Sequence, residues 1–319
     1  MSSTRGLSPQ GTDPRRPVPT AARLAVLGIG GVGGMLAART GALCVGTERT
    51  VAAVRAHGLR LVHDDQTTTA RVEAVERLER PAALVVVAVK APALEEALAR
   101  LDPRALAGTV VLPLQNGLEH VAVIRRQLAA RCTSSHGELP VVVAGSIGHL
   151  EAYSPEPGVV VQRTAGAVVT AASDTLPRPR LEAALAPLRA PGIEVVVAGS
   201  EAAVLWEKAA RLAVLAAATT ASGLTVGPLR SDPAWRPRLE GALTEACAVA
   251  AADGVALDPA GQWAIIEAMP EGLTTSAARD AAAGRPGELD AITGSVARAA
   301  QRLGVSTPDL DGLLADAQG

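Results

Sequence analysis

The sequence predicts an α/β fold in two parts, a doubly wound parallel sheet followed by an all-helical C-terminal domain. Three observations carry this reading. Short apolar runs alternate with helical stretches through the first half, as in a parallel sheet wrapped by helices. A glycine-rich turn joins the first strand to the first helix. From Glu201 to Ala221 the chain has neither Gly nor Pro, and further helical segments follow.

The elements follow in order. Residues 23–27 (Arg-Leu-Ala-Val-Leu) read as a strand, 32–40 as a helix and 42–46 as the second strand. Residues 51–57 form a short helix closed by Gly58. The Val-rich run 84–89 suits a strand covered on both faces. A helix at 93–101 stands behind Pro92, then a strand at 109–113 and a helix at 118–130. After Pro140 the pattern turns β-rich, with strands at 141–146, 158–162, 167–171 and 194–197 and a helix at 180–188. Helices follow at 201–221, 237–252, 262–268, 288–303 and 309–317. The division expected is a disordered tail over 1–20, a dinucleotide-binding domain over 21–198 and a helical substrate and dimerisation domain over 199–319. The tail carries Pro9, Pro14, Pro17 and Pro19 and little that can pack.

Composition narrows the function classes. A net charge of −2 and the lack of a basic stripe argue against a nucleic-acid partner. No apolar run reaches the ~20 residues of a membrane helix, and the first twenty residues have no apolar signal core. Cys44, Cys132 and Cys247 are odd in number and widely spaced, so neither a metal site nor a disulfide framework is expected. Reduced thiols fit a cytoplasmic protein. The chain has no Phe, one Tyr, one Asn (Asn116) and two lysines, Lys90 and Lys208, against 28 arginines. Residues that survive such a bias are candidates for chemistry, and only the ammonium readily shifts its pKa into a catalytic range.

Gly28-Ile29-Gly30-Gly31-Val32-Gly33 matches G-x-G-x-x-G. It follows a strand and opens a helix, the setting in which glycines allow a tight turn and close approach of a pyrophosphate to helix amides. The sheet is therefore expected to be of Rossmann type. After the second strand comes Gly46-Thr47-Glu48-Arg49. Arg49 and the Thr47 hydroxyl could hold a 2′-phosphate, whereas Glu48 would suit NAD. NADPH is the expected cofactor and NAD the alternative.

Several segments together resemble the ketopantoate reductase family. They are the glycine loop, Val87-Ala88-Val89-Lys90-Ala91, Gln115-Asn116-Gly117-Leu118-Glu119, Leu205-Trp206-Glu207-Lys208, and Ser276 with Glu288 twelve residues later. The resemblance runs from residue 23 to about 314. It implies a Rossmann domain and a helical domain with the active site between them, and NADPH-dependent reduction of a 2-keto acid to a 2-hydroxy acid. It implies Lys208 as the catalytic lysine, which polarises the ketone and donates a proton. It places Asn116 near nicotinamide and substrate, Lys90 on the cofactor side, Ser276 on the substrate, and Glu288 near the nicotinamide ribose and substrate.

The chain departs from the family's pattern at two places. The family has asparagines four and eight residues after its catalytic lysine, on one helix face. This chain has Leu212 and Ala216 there. Arg211 lies near that face and could clamp a carboxylate. The family's usual arginine for the 2′-phosphate aligns with Thr47. The expectation is a reductase of a 2-oxo acid or related carbonyl compound with an altered substrate pocket, acting on a small molecule and forming a homodimer. The alternatives are a reductase of an imine or β-keto compound and a dinucleotide sensor without turnover.

Overall fold

The structure is a computed structural model that describes residues 22–319. The tail expected over residues 1–20 lies outside the described residues. The first half runs β1 (Ala22–Leu27), α1 (Gly31–Thr40), β2 (Leu43–Val45), α2 (Glu48–His57), β3 (Leu59–His63), β4 (Gln66–Ala70), β5 (Ala74–Val75), β6 (Ala82–Val87), α3 (Leu94–Leu98), β7 (Val110–Pro113), α4 (His120–Arg131), β8 (Val141–Val142), β9 (Ala144–Gly148), β10 (Ala152–Tyr153), β11 (Val159–Gln162), β12 (Ala167–Ala172), α5 (Arg178–Leu185) and β13 (Ile193–Val197). The second runs α6 (Glu201–Ser222), α7 (Val226–Ser231), α8 (Trp235–Ala252), α9 (Pro259–Glu267), α10 (Ser276–Ala282), α11 (Ser295–Leu303) and α12 (Pro308–Gln318).

Among the described residues, six strands form an all-parallel sheet in the order β5-β2-β1-β6-β7-β8. Strand residues alternate between its faces. Leu24, Val26, Leu84 and Val86 pack into one core, while Ala25, Leu27, Val85 and Val87 pack into another on the far side. That is why the β6 run is apolar without a break. The fold is a Rossmann-type doubly wound sheet followed by helices, as the sequence predicts.

The β-rich stretch after Pro140 does not simply extend this sheet. β9, β12 and β13 form a second sheet, and β10-β11-β3-β4 a third. The sequence reading passed over β3, β4, β5, β10, α7 and α10. The β3–β4 hairpin turns on Asp64 and Asp65, both with positive φ (46° and 60°). Asp tolerates that region, but the usual glycine signal is absent.

The helical half is centred on α6, whose Ala209, Ala210, Ala213, Ala217 and Ala218 are buried against the neighbouring helices. Trp206 is also buried, and its indole N–H donates to Asp253 Oδ2 at 2.8 Å, satisfying the ring's one polar group. No helix among the described residues is long and apolar enough to cross a membrane.

Candidate active site

The glycines of the first turn do different things. Gly28 has φ +94°, and a Cβ there would meet Val89 Cγ1 at 2.4 Å. A Cβ at Gly33 would lie 1.9 Å from Gly28 O, so this glycine lets α1 pack on its own turn. A Cβ at Gly31 would lie 2.3 Å from Ala152 O. Gly30 alone among them opens onto free space, with nothing within 4 Å. The loop thus has a closed back and an open front, the cradle a pyrophosphate needs. No acidic residue occupies the first turn of α1 to oppose an anion.

Two cavities adjoin the loop. One, of about 220 Å³, is lined by Gly28, Ile29, Gly30, Gly46, Thr47 and Arg100 among others. Thr47 caps α2 and shares a hydrogen bond with Thr50 Oγ1 at 3.1 Å. Arg49 is exposed and does not line this cavity. The other, of about 900 Å³, lies between the two halves and is lined by Gly30, Gly31, Val32, Lys90, Asn116, Ser276 and Glu288 among others.

Lys208, on α6, does not line this cleft itself but a small adjoining pocket that it shares with Asn116. Its ammonium donates to Asn116 Oδ1 at 2.9 Å and to Ile147 O at 2.7 Å. Burial lowers its pKa to about 8; Glu288 opposes the shift and Arg211 adds to it. Asn116 stands on the turn after β7, at the carboxyl edge of the sheet. The next residue fixes that turn: Gly117 has φ +92°, and a Cβ there would meet Ala291 O at 1.9 Å. Ala291 belongs to a π-helical turn over Asp290–Gly294, and Ser295 Oγ, just beyond it, accepts from Leu118 N at 3.2 Å. The asparagine is thus held by the helical half as well as by its own strand.

Glu288 is buried and accepts from Ala91 N at 3.1 Å. Burial raises its pKa against the pull of that amide and of Lys90. Lys90 Nζ donates to Asp280 Oδ2 at 2.6 Å, and Arg285 Nε donates to Asp280 Oδ1 at 3.1 Å. His120 is buried near Lys208; burial first, and the lysine charge second, lower its pKa to about 4. Its imidazole is therefore neutral at neutral pH.

Residues 24–174 match the family model for ketopantoate reductase PanE/ApbA, and residues 202–318 match the model for its C-terminal part. The chain belongs to the ketopantoate reductase family. It is therefore an NAD(P)H-dependent oxidoreductase acting on a C=O group. It is 31% identical to a 2-dehydropantoate 2-reductase of Halobacterium salinarum over 263 residues, 80% of this chain and 82% of that one. A solved PanE/ApbA family ketopantoate reductase from Ralstonia eutropha is 26% identical with a TM-score of 0.77, covering 92% of this chain and 97% of its own. D-mandelate dehydrogenase, solved with NADH and anilino(oxo)acetate, shares the fold at 21% identity with a TM-score of 0.79, covering 92% and 96%.

In this reductase the residues singled out from the sequence fall into three groups. Asn116, Glu288, Lys90 and Ser276 line the cleft, and Lys208 stands behind Asn116 in the small pocket beside it. Gly28, Ile29, Gly30, Gly31, Val32 and Thr47 line one or both cavities, and Gly33 shapes the loop behind them. Arg211, Ala216 and Arg49 stand apart. The Arg211 guanidinium donates to Gln262 Oε1 on α9. Ala216 is sealed in an apolar cluster with Ala277 and Ile292, while Leu212, at its edge, lines a small pocket with Lys208 and Asn116. The sequence reading missed Asp280, Arg285, Arg163 and Arg279, all of which line the large cavity. The last two are arginines without a motif around them. Arg279 comes from α10 and Arg163 directly follows β11, and both reach Glu151, a pairing that no local pattern encodes.

Proposed function

We propose that the chain is an NADPH-dependent reductase of a 2-oxo acid or related carbonyl compound, with a substrate pocket altered from that for ketopantoate. The observation that carries this is the hydrogen bonding of Lys208. An ammonium has three N–H groups, and the Asn116 and Ile147 oxygens accept from it. Two fixed bonds aim the third N–H in one direction. A carbonyl oxygen placed there is polarised, and Lys208 gives it the proton as the carbon is reduced. A lysine with a pKa near 8 gives up that proton more readily than one with the ordinary value.

The glycine loop fits a nicotinamide dinucleotide, and when bound in reduced form that group supplies the hydride. Lys90 and Glu288 lie on its side of the cleft in this reading. The substrate carboxylate is held by Ser276 and by Arg279, one turn on along α10, both of which line the cleft, whereas Arg211 does not. Leu212 offers an apolar surface to the rest of the substrate. Assembly as a homodimer through the helical half belongs to the same proposal, and light scattering checks it. NADPH oxidation across a panel of 2-oxo acids, β-keto compounds and imines is the deciding assay. Turnover of none of them, with NADPH still bound, would leave a dinucleotide sensor instead.

A further inference from the structure

We propose that Arg100 reads the 2′-phosphate of the cofactor's adenosine ribose, a role that rests on the NADPH reading above. In a doubly wound sheet the adenosine ribose sits beyond the second strand. Here that place is the Gly46-Thr47 turn at the end of β2, and the 220 Å³ cavity opens beside it. Arg49, the nearest cation in sequence, is exposed on α2 and does not line that cavity. Arg100, more than fifty residues on, does line it, and its Nη1 lies 3.4 Å from Gly46 O.

The backbone around Arg100 is firmly held. Leu78 N donates to Arg100 O at 2.8 Å, and the bridge between Leu78 and Leu101 follows directly. The guanidinium is less committed. Its contact to Gly46 O is long, and its other partner, Glu96 at 2.8 Å, is an exposed carboxylate whose side chain is 76% accessible. Water screens such a pair. A phosphate dianion is a stronger acceptor for the planar guanidinium fork. Thr47 and Thr50 line the same cavity; one of their hydroxyls donates to the other, which leaves one O–H as a further donor. Glu96 therefore competes with the phosphate for Arg100.

The test is calorimetric binding of NADPH and NADH to the full chain and to Arg100→Ala, Arg49→Ala and Glu96→Gln. Arg100→Ala should lose at least about tenfold in NADPH affinity and less than about threefold for NADH, because only NADPH presents the extra phosphate. NADH binding thus also reports that the variant is folded. Arg49→Ala should stay within about threefold for both, and Glu96→Gln should tighten NADPH alone. Equal losses of both cofactors in Arg100→Ala, or a selective NADPH loss in Arg49→Ala, overturns the assignment. A parent chain that prefers NADH also overturns it but leaves the nicotinamide-cofactor reading intact. Binding of neither cofactor sinks both.

Discussion

Lys208 Nζ and Asn116 Oδ1 lie 2.9 Å apart, ninety-two positions apart in sequence, and their hydrogen bond ties the longest helix of the second half to the edge of the parallel sheet. In the mechanism proposed above, loss of either side chain therefore alters both the proton donor and its aim.

Lys208→Ala should lower kcat by about 10²–10⁴-fold, the usual contribution of a general acid. Cofactor affinity should change little, because the glycine loop is separate from α6. Stopped-flow reduction of the best substrate found, alongside NADPH titration, makes the comparison. A kcat within a few-fold of the parent would exclude the lysine as donor.

The pH profile follows from the same group. With Lys208 as the proposed donor, reduction needs it protonated, and burial has lowered its pKa from 10.5 to about 8. The reductive kcat/KM should stay level below about 8 and fall by about tenfold per unit above it. A profile still level at pH 10 contradicts the shift.

Gly30 and Gly33 should separate binding from folding. A Cβ at Gly30 meets no atom within 4 Å, so Gly30→Val should melt like the parent while losing NADPH affinity, because its side chain fills the pyrophosphate approach. Gly33→Ala places a Cβ 1.9 Å from Gly28 O and should destabilise the fold, by about 1–3 kcal/mol as overpacking commonly does. Thermal melts with cofactor titrations show this. Tight NADPH binding by Gly30→Val would falsify the loop assignment.

Ketopantoate should be a poor substrate. Of the two positions where the family pattern has amides, Ala216 is sealed in an apolar cluster and only Leu212 lines the small pocket that holds Lys208 and Asn116. One missing partner costs a desolvated polar group about 1–3 kcal/mol, or roughly 5- to 150-fold in kcat/KM. Leu212→Asn should recover part of that, whereas Ala216→Asn should destabilise the protein by burying an unpartnered amide. Ketopantoate turnover at ~10⁴ M⁻¹s⁻¹ or better by the parent chain would end the altered-pocket idea.

Much of this was legible from residues. The glycine loop announced itself by its strand–turn–helix setting, and the scarcity of Lys and Asn drew attention to Lys208 and Asn116. Arg211 shows where spacing fails. Three residues along a helix is a rotation of about 300°, which leaves room for either flank, and Gln262 on α9 decides which one. Arg100 was invisible because its position depends on the Leu78–Leu101 bridge, and no local pattern encodes that pairing. Asp280 was missed with α10, whose seven residues are too few to show a period. Its partner Lys90 is 190 positions away.

The bonds of Ala91 to Glu288 and of Lys90 to Asp280 span 197 and 190 positions. Contacts so distant carry a large loop-closure cost and form late, after local structure has reduced the chain's freedom. On the ribosome, the glycine loop emerges long before Glu288 exists to meet Ala91. Refolding should accordingly regain cofactor binding before turnover, and a nascent chain should pass through a stage that holds dinucleotide but cannot yet spend it on a ketone.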